Sequence, residues 1–75
     1  MYYQYGLRES LMLWTDVNEI AIELAEKHPD IDPTYILFTD LRRLVMELES
    51  FIDSPEKTNE KILEAIQMLW IEERE

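Results

Sequence analysis

Glu60 and Glu64 stand four residues apart, and in a helix that spacing stacks both carboxylates on one face. There their repulsion costs roughly 0.2 to 0.5 kcal/mol, and a bound cation would relieve it. Asp30 and Asp32 make a second pair, flanking Ile31 just ahead of Pro33. With oxygen ligands and no cysteine, such residues suit hard ions such as Ca²⁺, Mg²⁺, Mn²⁺ or high-spin Fe²⁺. They lack the thiolate and imidazole that make transition-metal sites tight. Each pair also has a plainer account. Glu60 and Glu64 read as solvated surface acids with Lys57 and Lys61 nearby, and the aspartates as turn formers that satisfy local backbone donors.

No other reactive constellation is present. The absence of cysteine removes thiolate catalysis, disulfides and any cysteine-ligated zinc or iron-sulfur cluster held by the chain itself. His28, the sole histidine, falls at the end of a helical pattern, where contact with the helix dipole accounts for it. One glycine cannot build a phosphate cradle. The chain is therefore expected not to be an enzyme and to use no organic cofactor.

Seventeen acids against seven bases give a formal charge of -10 over 75 residues. That field repels a phosphate backbone, since nucleic-acid affinity rests on lysine and arginine displacing counterions. It favours cations and basic protein surfaces. A chain of this length makes one domain and buries only about 60% of its unfolded surface, yet a hydrophobic content of 47% suffices for a helical core. The longest mostly apolar run, Ile66 to Ile71, is too short to cross a bilayer, and no basic start with an apolar stretch marks secretion. A soluble, cytoplasmic monomer is expected, with no membrane or nucleic-acid partner.

Three helices must position these acids. The first opens at Asp16, expected to cap it with Glu19 as capping-box partner, and buries Val17, Ile20, Ala21, Leu24 and Ala25 before Pro29 stops it. Glu19, Glu23 and Glu26 form its solvent ridge. Thr34 to Phe38 reads as an extended link, and Thr39 or Asp40 as the cap of a second helix with Leu41, Leu44, Val45, Leu48 and Phe51 inward and Arg42, Met46 and Glu49 outward. Ser54-Pro55-Glu56 reads as a helical turn, with Thr58 as a further cap. A third helix, about residues 59 to 73, turns Ile62, Leu63, Ile66, Leu69 and Trp70 to the core. Its outer side gathers Glu60, Glu64, Met68, Ile71 and Glu75, an apolar centre with a charged rim, as interaction patches are built. Extra packing by the tyrosine-rich Met1 to Ser10 segment is the competing account of that mixture.

Five segments stand in fixed order along the chain: Trp14-Thr15-Asp16, Pro29-Asp30-Ile31-Asp32-Pro33, Phe38-Thr39-Asp40-Leu41, Asn59-Glu60-Lys61-Ile62-Leu63-Glu64-Ala65-Ile66, and Trp70 with acids behind it. Together they resemble the IscX family, small acidic accessory proteins of bacterial iron-sulfur cluster assembly. The resemblance covers residues 13–75 and leaves 1–12 as an N-terminal extension, disordered or docked. It implies an all-α three-helix bundle, sometimes described as a modified winged helix. It further implies a regulatory adaptor that docks by its acidic surface onto a pyridoxal-phosphate cysteine desulfurase, binds Fe²⁺ weakly, and modulates sulfur delivery in competition with the frataxin homologue and the scaffold protein.

On that resemblance the partner-binding residues are Glu60, Glu64, Met68, Ile71, Glu72 and Glu73, with Trp14 as a further anchor. The weak Fe²⁺ set is Asp30, Asp32, Asp53, Glu60 and Glu64. Two departures bear on iron and docking. Phe51-Ile52-Asp53-Ser54-Pro55 stands where the family commonly has consecutive aspartates before the proline, and Leu37 where an arginine often precedes Phe-Thr-Asp. The loss of a carboxylate makes desulfurase docking a firmer expectation than iron binding. The rivals from other classes are a helix-turn-helix nucleic-acid binder, which the sparse bases oppose, and an acidic interaction or DNA-mimic module unrelated to cluster assembly.

Overall fold

A computed structural model describes residues 11–75, so the expectations for the Met1 to Ser10 segment lie outside the described residues. Three helices follow in order: α1 (Val17–Lys27), α2 (Phe38–Met46) and α3 (Glu60–Arg74), with 3-10 turns at Pro33–Tyr35 and Pro55–Lys57. Among the described residues no strand forms. The one β pairing is an isolated parallel bridge between Met12 and Phe51. In it Met12 N–H donates to Ser50 O at 2.8 Å, and Ile52 N–H to Met12 O at 3.1 Å.

The helical stripes do what their period requires. Ile20, Ala21 and Leu24 of α1, Leu41, Leu44 and Val45 of α2, and Leu63, Ile66 and Trp70 of α3 are buried. Val17, Ala25, Ile62 and Leu69 pack partly against them, as expected for residues at the margin of a stripe. α1 lies chiefly against α3. Outside the helices, Met12, Trp14, Leu48 and Phe51 complete the same core. The ring centroids of Trp14 and Phe51 are 4.7 Å apart, edge to face at 70°, the geometry that aromatic quadrupoles prefer.

The helix ends differ from the sequence expectations. Asp16 is the N-cap residue of α1, but its side chain makes no capping bond. Its Oδ2 accepts from the N–H of Leu13 at 2.8 Å, because its φ of -87° and ψ of 58° lie outside the extended region from which a cap oxygen meets the first turn. α2 starts earlier than expected, at Phe38 with Leu37 as its cap residue. Thr39 and Asp40 are therefore already helical, and Asp40 supplies a first-turn negative charge instead of a cap. α2 also ends early, at Met46, and Leu48 and Phe51 enter the core from the turns that follow.

The Thr34 to Phe38 stretch is an extended link only at Ile36 and Leu37; Thr34 and Tyr35 lie in a 3-10 turn and Phe38 is already helical. Asp32 Oδ1 accepts from Thr34 N–H, and Pro33 occupies the first position of a 3-10 turn, its fixed φ suited to that place. Pro55 begins the matching turn before α3, as expected. The cap of α3 is Asn59, whose Oδ1 accepts from Ile62 N–H at 2.9 Å. Thr58 does not cap; its hydroxyl is buried without a partner.

Candidate functional site

The outer face of α3 is the largest gathering of the predicted partner-binding residues. Glu60, Glu64 and Glu72 are exposed there, and Met68 among them is 58% exposed; Glu73 is exposed too, but at about 100° per residue it lies well round the helix from Met68, toward the side of Ile66 and Leu69, and does not join this face. Glu64, Met68, Glu72 and Glu75 succeed one another at helical spacing, so an apolar side chain is framed by carboxylates along one line of the helix.

Ile71 is only half-buried and not a free anchor. Gln67, Ile71 and Arg74 share the neighbouring stripe of α3, and both flanking residues reach the Pro33–Tyr35 turn. The Gln67 side-chain amide donates to Pro33 O at 2.8 Å and to Thr34 O at 3.1 Å, while an Arg74 guanidinium nitrogen lies 3.2 Å from Asp32 Oδ1.

Trp14 does not serve as a surface anchor. It is 1% exposed, with its backbone N–H donating to Asp53 Oδ2 at 3.1 Å and its indole N–H to Ser54 O at 2.8 Å. Asp53 Oδ1 also accepts from Ser54 N–H at 2.9 Å. The Asp53 carboxylate is therefore a clasp between the chain's entry segment and the loop before α3. The Trp14 and Ser54 amides hold its carboxyl below the ordinary value of 3.8, since donors to the ionised form favour it.

Asp32 is engaged as well. Its Oδ1 accepts from the Thr34 hydroxyl at 2.7 Å and from Thr34 N–H at 3.0 Å. The hydroxyl first, the amide next and the Arg74 charge least keep its carboxyl below the ordinary range. Asp30 is exposed beside it. Among the described residues no three acids or histidines gather as a metal-holding group. The predicted iron set thus divides into a clasp (Asp53), a turn cap (Asp32), a solvated neighbour (Asp30) and a helical pair (Glu60, Glu64). Those residues do not fit a chelating Fe²⁺ centre.

The remaining charges are mixed. Arg43 lies 3.6 Å from Asp40 in its own helix and 3.7 Å from Glu47 at the helix end, so its charge is offset locally. A groove of about 280 Å³ between the ends of α1 and α2 is lined by Lys27, His28, Leu44, Glu47, Leu48 and Glu49. His28 closes α1, its backbone N–H donating to Leu24 O at 2.9 Å, in keeping with a helix-end residue. No helix among the described residues is long and apolar enough to cross a membrane.

Two features had no legible signal. The Asp53 clasp joins residues 39 apart in sequence, and the Gln67 amide reaches a turn 33 to 34 residues away. Neither separation leaves a local pattern.

Comparison with known proteins places these features in context. Residues 12–75 match the model of a family described as iron-sulphur cluster assembly. A protein of Pseudomonas aeruginosa, itself described only as uncharacterized, is 60% identical over 62 residues, covering 83% of this chain and 94% of that one.

Proposed function

Since the chain belongs to the iron-sulphur cluster assembly family, the IscX family that its ordered segments resemble, we propose that it is an accessory adaptor docking through acidic surface onto a cysteine desulfurase. The observation that carries this reading is the outer face of α3, where Glu60, Glu64 and Glu72 frame the exposed Met68. Carboxylates of this kind steer encounter with a basic surface, and a small apolar centre adds short-range contact once the charges have met. Occupancy of a basic site on the enzyme, shared with the frataxin homologue and the scaffold protein, then modulates sulfur delivery without bond-making by this chain.

The Fe²⁺ association that the resemblance implies is, in this reading, a property of the summed negative field and not of a chelate. It is weak and salt-sensitive, and no step of docking depends on it.

Titration of the full chain against purified cysteine desulfurase at low and physiological salt tests the reading. Affinity falls steeply as salt rises, and Glu60→Lys with Glu64→Lys weakens binding by about an order of magnitude at low salt. Circular dichroism stays helical, because both positions are exposed. Binding that ignores both salt and the double reversal removes this face from the interface.

A further inference from the structure

Met68 is the one methionine among the described residues whose side chain is largely exposed. It stands at 58% exposure, whereas Met12 is 3% exposed and Met46 is half-buried and packed against the core. Thioether sulfur is soft and polarizable, and two-electron oxidants that reach it convert it to a sulfoxide. Little else in the chain competes for such an oxidant. No cysteine is present to consume it first, and the indoles of Trp14 and Trp70 are sealed in the core. Met68 also occupies the apolar centre of the acidic line on α3, one turn from Glu64 and one turn from Glu72. Chemistry at its sulfur therefore alters that face and no other.

We propose that Met68 is a reversible oxidation site for hydroperoxides, and that its sulfoxide releases the chain from the partner of the acidic face. The proposal rests on the desulfurase reading above and names how that same face is regulated. A sulfur lone pair attacks the terminal oxygen of the peroxide. The S–O bond forms as the O–O bond breaks, and the proton of the transferred oxygen passes to the leaving oxygen. Sulfur is oxidised by two electrons, and the peroxide is reduced to water or an alcohol. A dithiol-driven sulfoxide reductase returns the thioether, the oxygen leaving as water and the dithiol becoming a disulfide. The fold does not register the change, since Met68 lies outside the buried stripe of Leu63, Ile66 and Trp70 and water solvates the new oxygen. Docking does register it. In the docked state the partner's basic groups pair with the flanking carboxylates and an apolar spot faces the thioether, so the sulfoxide oxygen is stripped of water without a donor in return. Net charge is unaltered, and the loss falls on short-range contact and not on steering.

The test treats the purified full chain with hydrogen peroxide and removes the oxidant with catalase. Peptide mass spectrometry then reads the oxidised positions, and the treated chain is titrated against purified cysteine desulfurase. Met68 converts well ahead of Met12 and Met46, and circular dichroism is unchanged. Affinity falls about tenfold, by the same factor at low and physiological salt, unlike the loss from reversing carboxylates. Methionine sulfoxide reductase with dithiothreitol restores it. Met68→Leu, whatever its own affinity, binds equally well with and without peroxide treatment, which sets aside Met1 and the tyrosines as the cause. Conversion of Met12 or Met46 ahead of Met68 overturns the site. Equal binding by untreated wild type and by wild type fully oxidised at Met68 overturns the switch and leaves acidic docking standing, and so does a treated Met68→Leu chain that loses affinity. No binding by untreated wild type overturns docking and switch together.

Discussion

Trp14→Ala brings the largest loss of stability expected of a single substitution in this chain. The side chain is 1% exposed, and truncation of such an aromatic costs about 3 to 5 kcal/mol in lost transfer energy and cavity. It also removes the edge-to-face contact with Phe51 and the donor that satisfies Ser54 O. A domain of 75 residues has a total stability of roughly 4 to 11 kcal/mol, so the loss consumes much or all of it. Denaturant unfolding followed by circular dichroism measures this directly. Trp14→Phe, which keeps a ring but not the N–H, retains a cooperative transition with a lower midpoint. If Trp14→Ala unfolded at nearly the wild-type midpoint, the placement of this residue in the core would be wrong, and a role as surface anchor would return.

Asp53→Asn produces the second largest effect, through the same corner of the molecule. The carboxylate accepts from two backbone amides, those of Trp14 and Ser54, one on each oxygen. An asparagine keeps one acceptor but turns an NH₂ toward the other donor, leaving that amide without a partner. The melting temperature falls by several degrees at neutral pH. The pH dependence carries a defined sign. Because the folded carboxyl titrates below 3.8, its contribution is complete above the unfolded value and is lost as pH falls through the folded one. Wild-type melting therefore drops on acidification below about pH 4, with Asp32, lowered in the same direction, adding to the fall. The gap between wild type and Asp53→Asn narrows over that range. A gap that is constant from neutral pH to strong acid would separate the clasp from ionisation of Asp53.

The three apolar stripes were legible because each is local: Ile20, Ala21 and Leu24, or Leu63, Ile66 and Trp70, declare a buried face within a few turns of chain. Turn chemistry was half legible. Ser54-Pro55 and Asp32-Pro33 carry the same signal, a cap residue followed by proline at the first helical position. Only the first reads as a helical turn, since the β-branched and aromatic residues after Pro33 favour extended chain. Caps were the least legible. Asp16 and Thr39 have suitable side chains, but the backbone at Asp16 and the early start at Phe38 deny them the role.

The helical wheel alone gathers Glu60, Glu64, Met68 and Glu75 on the outer side of α3, while Glu72 enters through the family resemblance. The burial of Trp14 and the hydrogen bonds of Asp53 carry no local signal, because what buries one and engages the other is long-range pairing of residues 12–14 with 50–54.

Trp14 and Trp70 lie near opposite ends of the described chain, and both are sealed in one core. Their intrinsic fluorescence consequently reports whether the two ends are joined. A ligand settling on the outer side of α3 leaves both indoles in unaltered surroundings and their emission dark to the event. Loss of the core exposes both chromophores to water at once, so a single optical signal separates an unfolded variant from a folded one that has only lost its grip on a partner.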